Sequence, residues 1–445
     1  PLTGEHFDGH DYIPDAVALD AAAVLVQESQ AKQVVTALNA RNIRAETAII
    51  SVTHTLRALQ DLAREYRNLF DVPLIAVTGS TGKTTTKDMI ASILKEMGSV
   101  NKSPENFNNE IGLPLALLQF DEMHNYGVVE MGMRGLGQIE ELTKIAKPQV
   151  GVITNVDVVH IELLGSLSNI AAAKEELLIN MPLEGVVVLN ADDDLVRQMG
   201  ADCEKMNIVY YGYQQPKPAC PSTAKYVTAQ NIAQKGEAGI SFKLCCEGQI
   251  VDIKVPLPGL YQVHNALAAA AACMAVGAGL EHVQAGLANV ELSGMRMEQI
   301  QLACGGLLIN DAYNANPTAM EAALETTEIV AAGRAFGFIL GDMLELGHLS
   351  KQAHYDIGQK AAAFLPNYLI TVGENAKEIA RGARDQGMDK DSIIECSDYK
   401  TAQNAACSRV RPGEVVLVKG SRGMALEHVV WALRQQVDDA GGRWD

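Results

Sequence analysis

Short apolar runs alternate along this chain with segments in which apolar residues recur every three or four positions. The run 74–77 is continuous and apolar, whereas apolar residues in 90–97 have helical spacing and Gly98 follows as a stop signal. The run predicts a buried strand and the spacing an amphipathic helix. Because such pairs repeat through most of the chain, we predict the α/β fold class with mostly parallel sheets.

The predicted elements divide into three domains. A chain of 445 residues is longer than one hydrophobic core usually serves. We predict a small N-terminal α/β domain at 1–72, a central domain at 73–292 with a mostly parallel sheet, and a second α/β series at 293–445. The central domain changes character near its end, where alternating runs flank Glu247-Gly248 and predict an antiparallel hairpin over 240–254.

A glycine-rich turn connects the first central strand to its helix. Residues 78–86 read TGSTGKTTT, a short form of the phosphate-binding loop, since Val77 stands where the longer motif has glycine. A strand, a glycine turn and a helix N-terminus together direct backbone N–H groups at a phosphate. Lys83 would supply positive charge and Thr84 an oxygen for Mg²⁺. The alternative is a tight turn without a ligand.

Polar residues also follow the other predicted strands. In the central domain they are Glu130, Thr154-Asn155 and Asn190, and in the C-terminal domain Asp311, Gly341-Asp342, Gly373 and the segment 419–422. Ligands of open α/β sheets bind at the carboxyl ends of strands. We therefore expect the first set to surround the phosphate loop and the second to form an opposite face of an active site.

Three side chains stand out for their positions. Glu130 follows a buried run, where a carboxylate is costly unless it is paired or binds a metal; an exposed strand end is the alternative. Lys174 lies on the apolar face of its predicted helix, a position that fits snorkelling as well as function. His160 comes shortly after Asp157 in a predicted loop, where by itself a histidine is more often structural than a ligand.

Two loops combine polar groups suited to a substrate. The segment 106–114 is rich in amides, including Asn108 and Asn109, which can donate and accept hydrogen bonds, although turn chemistry explains such residues equally well. The segment 311–317 places a carboxylate suited to ribose hydroxyls, Asp311, near a ring able to pack on a base, Tyr313.

The net charge of −18 argues against nucleic acid or an anionic membrane as a partner. The eight cysteines include no C-x-x-C pair and predict reduced thiols in the cytoplasm. No run is long and apolar enough to span a bilayer. The chain begins with Pro1 and has no signal-like segment, so we expect the natural start to lie upstream.

Several motifs together resemble the Mur ligase family, the ATP-dependent amide-forming enzymes of peptidoglycan precursor synthesis. They are TGSTGKTTT, NFNNEIGLP, VVEMG, TNVDVVHIELLGS, AAAKEELL and DAYNANP. The later GDMLELG and VKGSRGMALE are similar to those of the member that adds D-alanyl-D-alanine to UDP-N-acetylmuramoyl-tripeptide. The resemblance implies an N-terminal UDP-sugar domain, a central ATPase domain and a C-terminal Rossmann-like domain that closes over the nucleotide, near hinges at 72 and 292.

The resemblance also implies a nucleotide and metal site. Its phosphate-binding residues would be Thr78, Gly79, Ser80, Thr81, Gly82, Lys83, Thr84 and Thr85, and its further nucleotide contacts Asn265, Arg296, Asp311, Tyr313 and Asn314. Thr84 and Glu130 would serve one Mg²⁺. His160 and Lys174 would serve a second, with Lys174 carbamylated by CO₂. Arg296 would reach the γ-phosphate across the domain gap.

The implied substrate contacts lie on both sides of that gap. Asn108 and Asn109 would face the UDP-sugar, and Asp342 would bind the incoming amine. Lys419, Ser421 and Arg422 would hold substrate carboxylates. The reaction would join the two small molecules through an acyl phosphate, in a monomeric cytoplasmic enzyme.

The chain departs from the family pattern twice. The adenine motif G-x-H-N-x-x-N stands here as 259–265, with Tyr261 and Gln262 in place of His and Asn, so His264 is not the family histidine. The early Ser-Arg motif of the uridine site is also absent. The alternatives are a family ligase that adds a single amino acid or, with less support, a nucleotide-dependent switch. The tripeptide's third residue stays open between lysine and diaminopimelate.

Overall fold

The computed structural model describes residues 1–4, 6–41, 47–104, 106–159, 161–203, 206–213, 224–302 and 305–439. Its strands form three separate sheets in chain order, of two, nine and six strands. This confirms the predicted mixed α/β class with mostly parallel sheets. The domain limits at 72 and 292 remain predictions.

The first sheet is small and parallel. Its region contains α1 (Ile13–Ala18), β1 (Ala23–Gln27), α2 (Ala31–Ala40), β2 (Ala48–Val52) and α3 (Thr55–Arg67). Strands β1 and β2 pair from Ala23↔Ala48 onward. A small core of Val24, Val26, Val34 and Leu38, with two residues of α1, holds this unit together. Helix α3 instead buries Ala63 in the core of the following sheet, so it links the two units.

The nine-stranded sheet forms the centre of the molecule. Its strands are β3 (Leu74–Thr78), β4 (Val100–Lys102), β5 (Tyr126–Glu130), β6 (Val150–Ile153), β7 (Val186–Asn190), β8 (Asn207–Gly212), β9 (Lys225–Gln234), β10 (Ile240–Cys246) and β11 (Gln249–Val255). Its helices are α4 (Lys83–Lys95), α5 (Gly112–Leu117), α6 (Gln138–Ala146), α7 (Ile161–Leu164), α8 (Leu167–Asn180), α9 (Asp194–Asp202), α10 (Tyr261–Ala275) and α11 (Leu280–Ala288).

The order of these strands places the phosphate loop at a topological switch point. The order is β11-β10-β9-β8-β7-β6-β3-β5-β4, so β3 lies between β5 and β6. The chain leaves β3 toward one edge and then crosses to its other side, which opens a crevice beyond the carboxyl end of β3. The predicted hairpin is confirmed as β10 and β11, which pair antiparallel from Ile240↔Val255 to Cys246↔Gln249.

The six-stranded sheet belongs to the C-terminal part. Its strands are β12 (Glu298–Gln301), β13 (Leu307–Asp311), β14 (Phe336–Gly341), β15 (Tyr368–Val372), β16 (Ile393–Cys396) and β17 (Val415–Lys419), in the order β12-β13-β17-β14-β15-β16. Its helices are α12 (Pro317–Ala331), α13 (Ser350–Ala363), α14 (Ala376–Asp385), α15 (Tyr399–Arg409) and α16 (Glu427–Asp439). All pairs are parallel except β12 with β13.

A buried carboxylate ties the junction between the two large sheets. Asp88 on α4 is fully buried and accepts hydrogen bonds from the Ser293 backbone N–H at 2.7 Å and from Lys102 at 2.8 Å. Ser293 begins the segment that leads to β12, next to the predicted hinge. Among the described residues, no helix has the length and apolar character needed to cross a membrane.

Candidate active site

One cleft of about 1140 Å³ lies between the carboxyl ends of the central and C-terminal sheets. Most predicted site residues line it, namely Gly79–Thr85, Asn108, Asn109, Glu130, Lys174, Asn265, Arg296, Asp311, Tyr313, Asn314, Lys419, Ser421 and Arg422. Asn155 and Asn190, two of the polar residues predicted at strand ends, line it as well. Thr78 and Asp342 are not among the lining residues. His160 lies outside the described residues.

The phosphate loop is shaped by two glycines that no other residue can replace without a clash. Gly79 has a φ of 147°, and a Cβ there would lie 1.8 Å from the Thr154 hydroxyl. Gly82 has a φ of 79°, and a Cβ there would lie 2.4 Å from the Asn265 side-chain oxygen. Gly82 caps the N-terminus of α4. The Lys83 ammonium donates to the Gly79 carbonyl at 2.8 Å, which holds its positive charge over the loop. The loop therefore has the form that cradles a phosphate.

Thr78 lies beneath this loop. Its side chain is buried, and its hydroxyl donates to the Met131 carbonyl at 2.9 Å. The structure thus gives Thr78 a role in joining β3 to the loop after β5. Because Thr78 is not among the residues that line the cleft, its predicted phosphate contact stays a prediction.

Glu130 joins the loop to the amide-rich segment. The Thr84 hydroxyl donates to one carboxylate oxygen at 2.6 Å, and the Asn108 amide donates to the other at 2.8 Å. Burial raises the pKa of Glu130, but the positive charges of Lys83, Arg296 and Lys87, together with the hydrogen bond from Thr84, outweigh burial, and the pKa lies below its ordinary value. The carboxylate is therefore ionised at neutral pH. Adjacent anionic and hydroxyl oxygens are the ligand types that Mg²⁺ prefers.

Lys174 is buried on the inner face of α8, as its spacing predicted, with 2% of its surface exposed. Burial and the nearby positive charge of Lys83 lower the pKa of Lys174 well below its ordinary value. Its amine is therefore more easily deprotonated than an exposed lysine. The described residues contain no group of three or more His, Cys, Asp or Glu side chains placed to hold a metal.

Arg296 reaches the cleft from the C-terminal side. Its guanidinium stacks on the Tyr313 ring at 4.0 Å from the centroid. Burial, together with the Arg296 charge, lowers the pKa of Lys83, although Glu130 acts in the opposite direction. Two cations and one carboxylate from the two sides of the cleft are thus close enough to influence one another.

Side chains of the segment 259–265, which departs from the family's adenine motif, make contacts beside the cleft. The Asn265 amide donates to the Gln262 side chain at 2.9 Å, so the two amides form one unit beside Gly82. His264 pairs with Asp192 at 2.9 Å and packs against the Tyr213 ring at 3.9 Å. Asp192 and Tyr213 could not be predicted as partners of His264, because they lie far from it along the chain and follow no motif.

The predicted substrate-binding residues of the C-terminal part differ in their exposure and in the hydrogen bonds that they already make. Arg422 is exposed at the cleft, with its guanidinium 2.9 Å from Glu427. Ser421 is buried, and its hydroxyl accepts from the Leu344 backbone N–H at 2.9 Å. The Asp342 carboxylate accepts from the backbone N–H of Ala376 at 2.7 Å and from Asn375 at 3.3 Å, as a cap at the start of α14. A contact of Asp342 with the amine stays a prediction that this placement does not support.

The fold and cleft define a phosphate-loop, nucleotide-binding enzyme whose site is completed by a second α/β sheet. Three family models match in chain order: the Mur ligase family catalytic domain at 1–67, the Mur ligase middle domain at 77–273 and the Mur ligase glutamate ligase domain at 295–422. The chain belongs to the Mur ligase family.

Its relatives span nearly the whole chain. It is 36% identical over 430 residues to a UDP-N-acetylmuramoyl-tripeptide–D-alanyl-D-alanine ligase of Bacillus subtilis, covering 97% of this chain and 88% of the relative. The Escherichia coli enzyme of that name is 33% identical, with 98% and 90% covered. The crystal structure of MurF from Acinetobacter baumannii has a TM-score of 0.82 at 29% identity, covering 98% and 89%. MurF of Thermotoga maritima in complex with ADP has a TM-score of 0.81 at 25% identity, covering 99% and 94%.

Proposed function

We propose that this chain is an ATP-dependent ligase that joins D-alanyl-D-alanine to UDP-N-acetylmuramoyl-tripeptide in peptidoglycan precursor synthesis. The observation that carries the proposal is the single cleft in which Lys83, the Thr84–Glu130 pair and Arg296 meet. Near full-length similarity to ligases named for this reaction selects it over the addition of a single amino acid.

A carboxylate resists attack by an amine, because it would have to expel oxide. Transfer of the γ-phosphoryl group of ATP to the tripeptide carboxylate gives an acyl phosphate, from which phosphate can leave. Such a transfer depends on positioning and on neutralising charge. Lys83 and Arg296 supply positive charge from the two sides of the cleft. Thr84 and Glu130 would hold Mg²⁺, which would supply further charge neutralisation when bound.

Lys174 completes the metal site in this proposal as a carbamate. Its ammonium first loses a proton; the neutral amine then attacks the carbon of CO₂, an N–C bond forms as one C=O π bond opens, and an N–H proton leaves, which gives an anionic carbamate. The lowered pKa of Lys174 favours the neutral amine that this step requires. Two carbamate oxygens suit Mg²⁺, whereas an ammonium repels it. His160 is the proposed partner of Lys174 at a second ion.

The dipeptide amine then attacks the acyl phosphate carbon and displaces phosphate. An α-amino group has a pKa near 8, so a useful fraction is neutral at cytoplasmic pH. Among the predicted carboxylate-binding residues, Arg422 is the exposed one and suits a substrate carboxylate. Asn109 lines the cleft on the central side and suits the UDP-sugar substrate.

Closure of the three proposed domains, 1–72, 73–292 and 293–445, excludes water from the acyl phosphate. Contacts already join the two walls beside the cleft, since the Glu162 backbone N–H donates to the Glu345 carbonyl at 3.4 Å and Arg134 lies 3.7 Å from the Glu345 carboxylate. The enzyme acts as a monomer in the cytoplasm in this proposal, on small-molecule substrates.

The deciding experiment measures ADP, phosphate and amide together. Purified protein receives MgATP, UDP-N-acetylmuramoyl-tripeptide and either D-alanyl-D-alanine or single amino acids. We expect one amide per ADP with the dipeptide alone, and no product from Lys83→Ala. Amide formation with a single amino acid would select another family activity, and ATP hydrolysis without amide would indicate a switch. Parallel reactions with lysine- and diaminopimelate-containing tripeptides identify the third residue.

A further inference from the structure

The backbone on both sides of Arg296 adopts an uncommon conformation. Met295 and Met297 have φ of 61° and 51°, in the left-handed region that residues other than glycine rarely enter. Such conformations persist only where the surroundings impose them, and they are found most often at functional sites. Two of them around one arginine indicate that the chain holds this side chain in a defined position.

Several hydrogen bonds impose the conformation. The Met297 backbone N–H donates to Asp311 Oδ1 at 3.1 Å, and the Met295 backbone N–H donates to the Glu298 carboxylate at 3.1 Å. The Met295 carbonyl accepts from the Tyr313 backbone N–H at 3.3 Å. The 295–297 turn is thus attached to the end of β13 and to the loop that follows it. The Arg296 guanidinium then rests on the Tyr313 ring of the same loop.

The other oxygen of Asp311 is also engaged. Lys419 Nζ lies 2.5 Å from Asp311 Oδ2 and donates as well to the Asn314 carbonyl at 3.0 Å. The Asp311 side chain is 14% exposed and the Lys419 side chain 3%. Asp311 and Lys419 are register partners at the ends of neighbouring parallel strands. The sheet therefore sets this ion pair, and the ion pair in turn holds the 295–297 turn.

We propose that Asp311 and Lys419 are positioning residues for Arg296, which fix the turn carrying its guanidinium in the cleft. This differs from contacts of Asp311 with ribose and of Lys419 with a substrate carboxylate. Each Asp311 oxygen already accepts a hydrogen bond within the protein, and the Lys419 ammonium is nearly out of solvent. The inference rests on the proposed function, in which Arg296 acts on the γ-phosphate.

A double-mutant cycle separates the two roles of Asp311. Asp311→Asn, Arg296→Ala and the double variant are compared for kcat and for KM of ATP. Asparagine keeps an oxygen for the Met297 N–H but loses the charge that pairs with Lys419. Because small misplacement of a catalytic group is costly, we expect Asp311→Asn to lower kcat on the order of 10²-fold, with little change in KM. In the Arg296→Ala background the same substitution should have almost no further effect.

Deoxy analogues of ATP test the ribose contact directly. If Asp311 binds a ribose hydroxyl, 2′-deoxy- or 3′-deoxy-ATP should raise KM in the wild type but not in Asp311→Asn. We expect instead that any effect of the deoxy analogues is the same in both proteins. A discrimination that disappears in Asp311→Asn would overturn the inference.

A matched pair at Met295 tests the turn without touching the ion pair. Met295→Gly keeps the left-handed conformation accessible, whereas the branched side chain of Met295→Val disfavours it. Both lose the same contact of the methionine sulfur with Arg422. We expect the valine variant to lower kcat at least tenfold relative to the glycine variant. Equal kcat in the two would overturn the inference. If Asp311→Asn does not fold, the comparison of the two Met295 variants is the deciding test.

The outcomes distinguish this inference from the proposed function. Unchanged kcat in Arg296→Ala would remove the proposed role of Arg296 itself. A large loss in Arg296→Ala, with a further independent loss from Asp311→Asn in that background, would leave the proposed function in place and overturn the positioning role.

Discussion

Replacing Lys174 by methionine tests what its buried amine contributes. The side chain lies on the face of α8 that also buries Ile170, Ala173 and Leu177. Methionine keeps an unbranched side chain of similar length, removes the amine and adapts well to apolar surroundings. We expect Lys174→Met to be inactive but more stable than the wild type, because groups placed for function often lower stability.

The size of the gain follows from burial. Placing a polar group in an apolar site without full hydrogen bonding costs about 1–3 kcal/mol in protein mutational data. Lys174 is 2% exposed and lines the cleft, so water relieves only part of this cost. We therefore expect Lys174→Met to raise the free energy of unfolding by about 1–3 kcal/mol. In a domain of about 200 residues each kcal/mol raises Tm by about 2–4 °C.

The gain should depend on pH in a defined direction. Burial and the charge of Lys83 lower the folded-state pKa of Lys174, whereas in the unfolded chain it is about 10.4. Between these two pKa values the unfolded chain binds a proton that the folded chain does not, so wild-type stability falls as pH falls. The advantage of Lys174→Met is therefore smallest above the unfolded-state pKa and largest below the folded-state pKa.

Thermal unfolding at a series of pH values measures this difference. Lys254→Met, at an exposed lysine of β11, is the matched control and should show no comparable gain. Bicarbonate with MgADP should stabilise the wild type, through carbamate formation, but not Lys174→Met. A methionine variant less stable than the wild type at neutral pH, or an advantage that shrinks as pH falls, would refute the reasoning and show a stabilising ammonium.

Four further outcomes are expected. Lys83→Ala should keep its thermal unfolding profile and lose nearly all turnover, measured as ADP release; normal turnover would contradict the phosphate-loop assignment. Arg296→Ala should lower kcat far more than it weakens binding of the UDP-tripeptide, measured by calorimetry; unchanged kcat would make it a surface residue. Lys174→Ala should recover activity with acetate or formate but not with methylamine, since an added amine lacks anionic oxygens; rescue by methylamine would exclude the carbamate. Asp88→Ala should lower the free energy of unfolding by about 1.5–3 kcal/mol, because a buried, charged hydrogen bond to Ser293 is lost; a loss below about 0.5 kcal/mol would contradict this.

Local patterns predicted the parts of the site that one segment builds alone. The phosphate loop depends on glycines, a lysine and a threonine at fixed offsets between a strand and a helix, and the structure forms it from Gly79 to Thr84. The buried position of Lys174 followed from helical spacing within α8. In both cases the signal and the structure lie within one short segment of the chain, so pattern and geometry correspond directly.

Strands with polar residues or short length were missed. Strands β4, β12 and β16 contain only three or four residues, too few to show a period. Strand β9 has several polar residues and alternates only in part, because its second half is largely exposed. Long or strongly apolar strands such as β3 and β14 were predicted because they are buried on both faces.

The roles of strand-end charges could not be derived from single segments, and Asp311 and Lys419 show why. Each follows an apolar run, and by itself each suggests a ligand contact at the edge of a sheet. They lie 108 residues apart, and only the placement of β17 beside β13 makes them neighbours. Strand order depends on how whole helices and strands pack, which spacing within a segment does not contain. Once the two charges are adjacent and buried, mutual pairing becomes the lower-energy arrangement, because an unpaired ion there would be strongly destabilising. In our proposal the same two residues support the turn that carries Arg296, and their expected ligand contacts stay predictions.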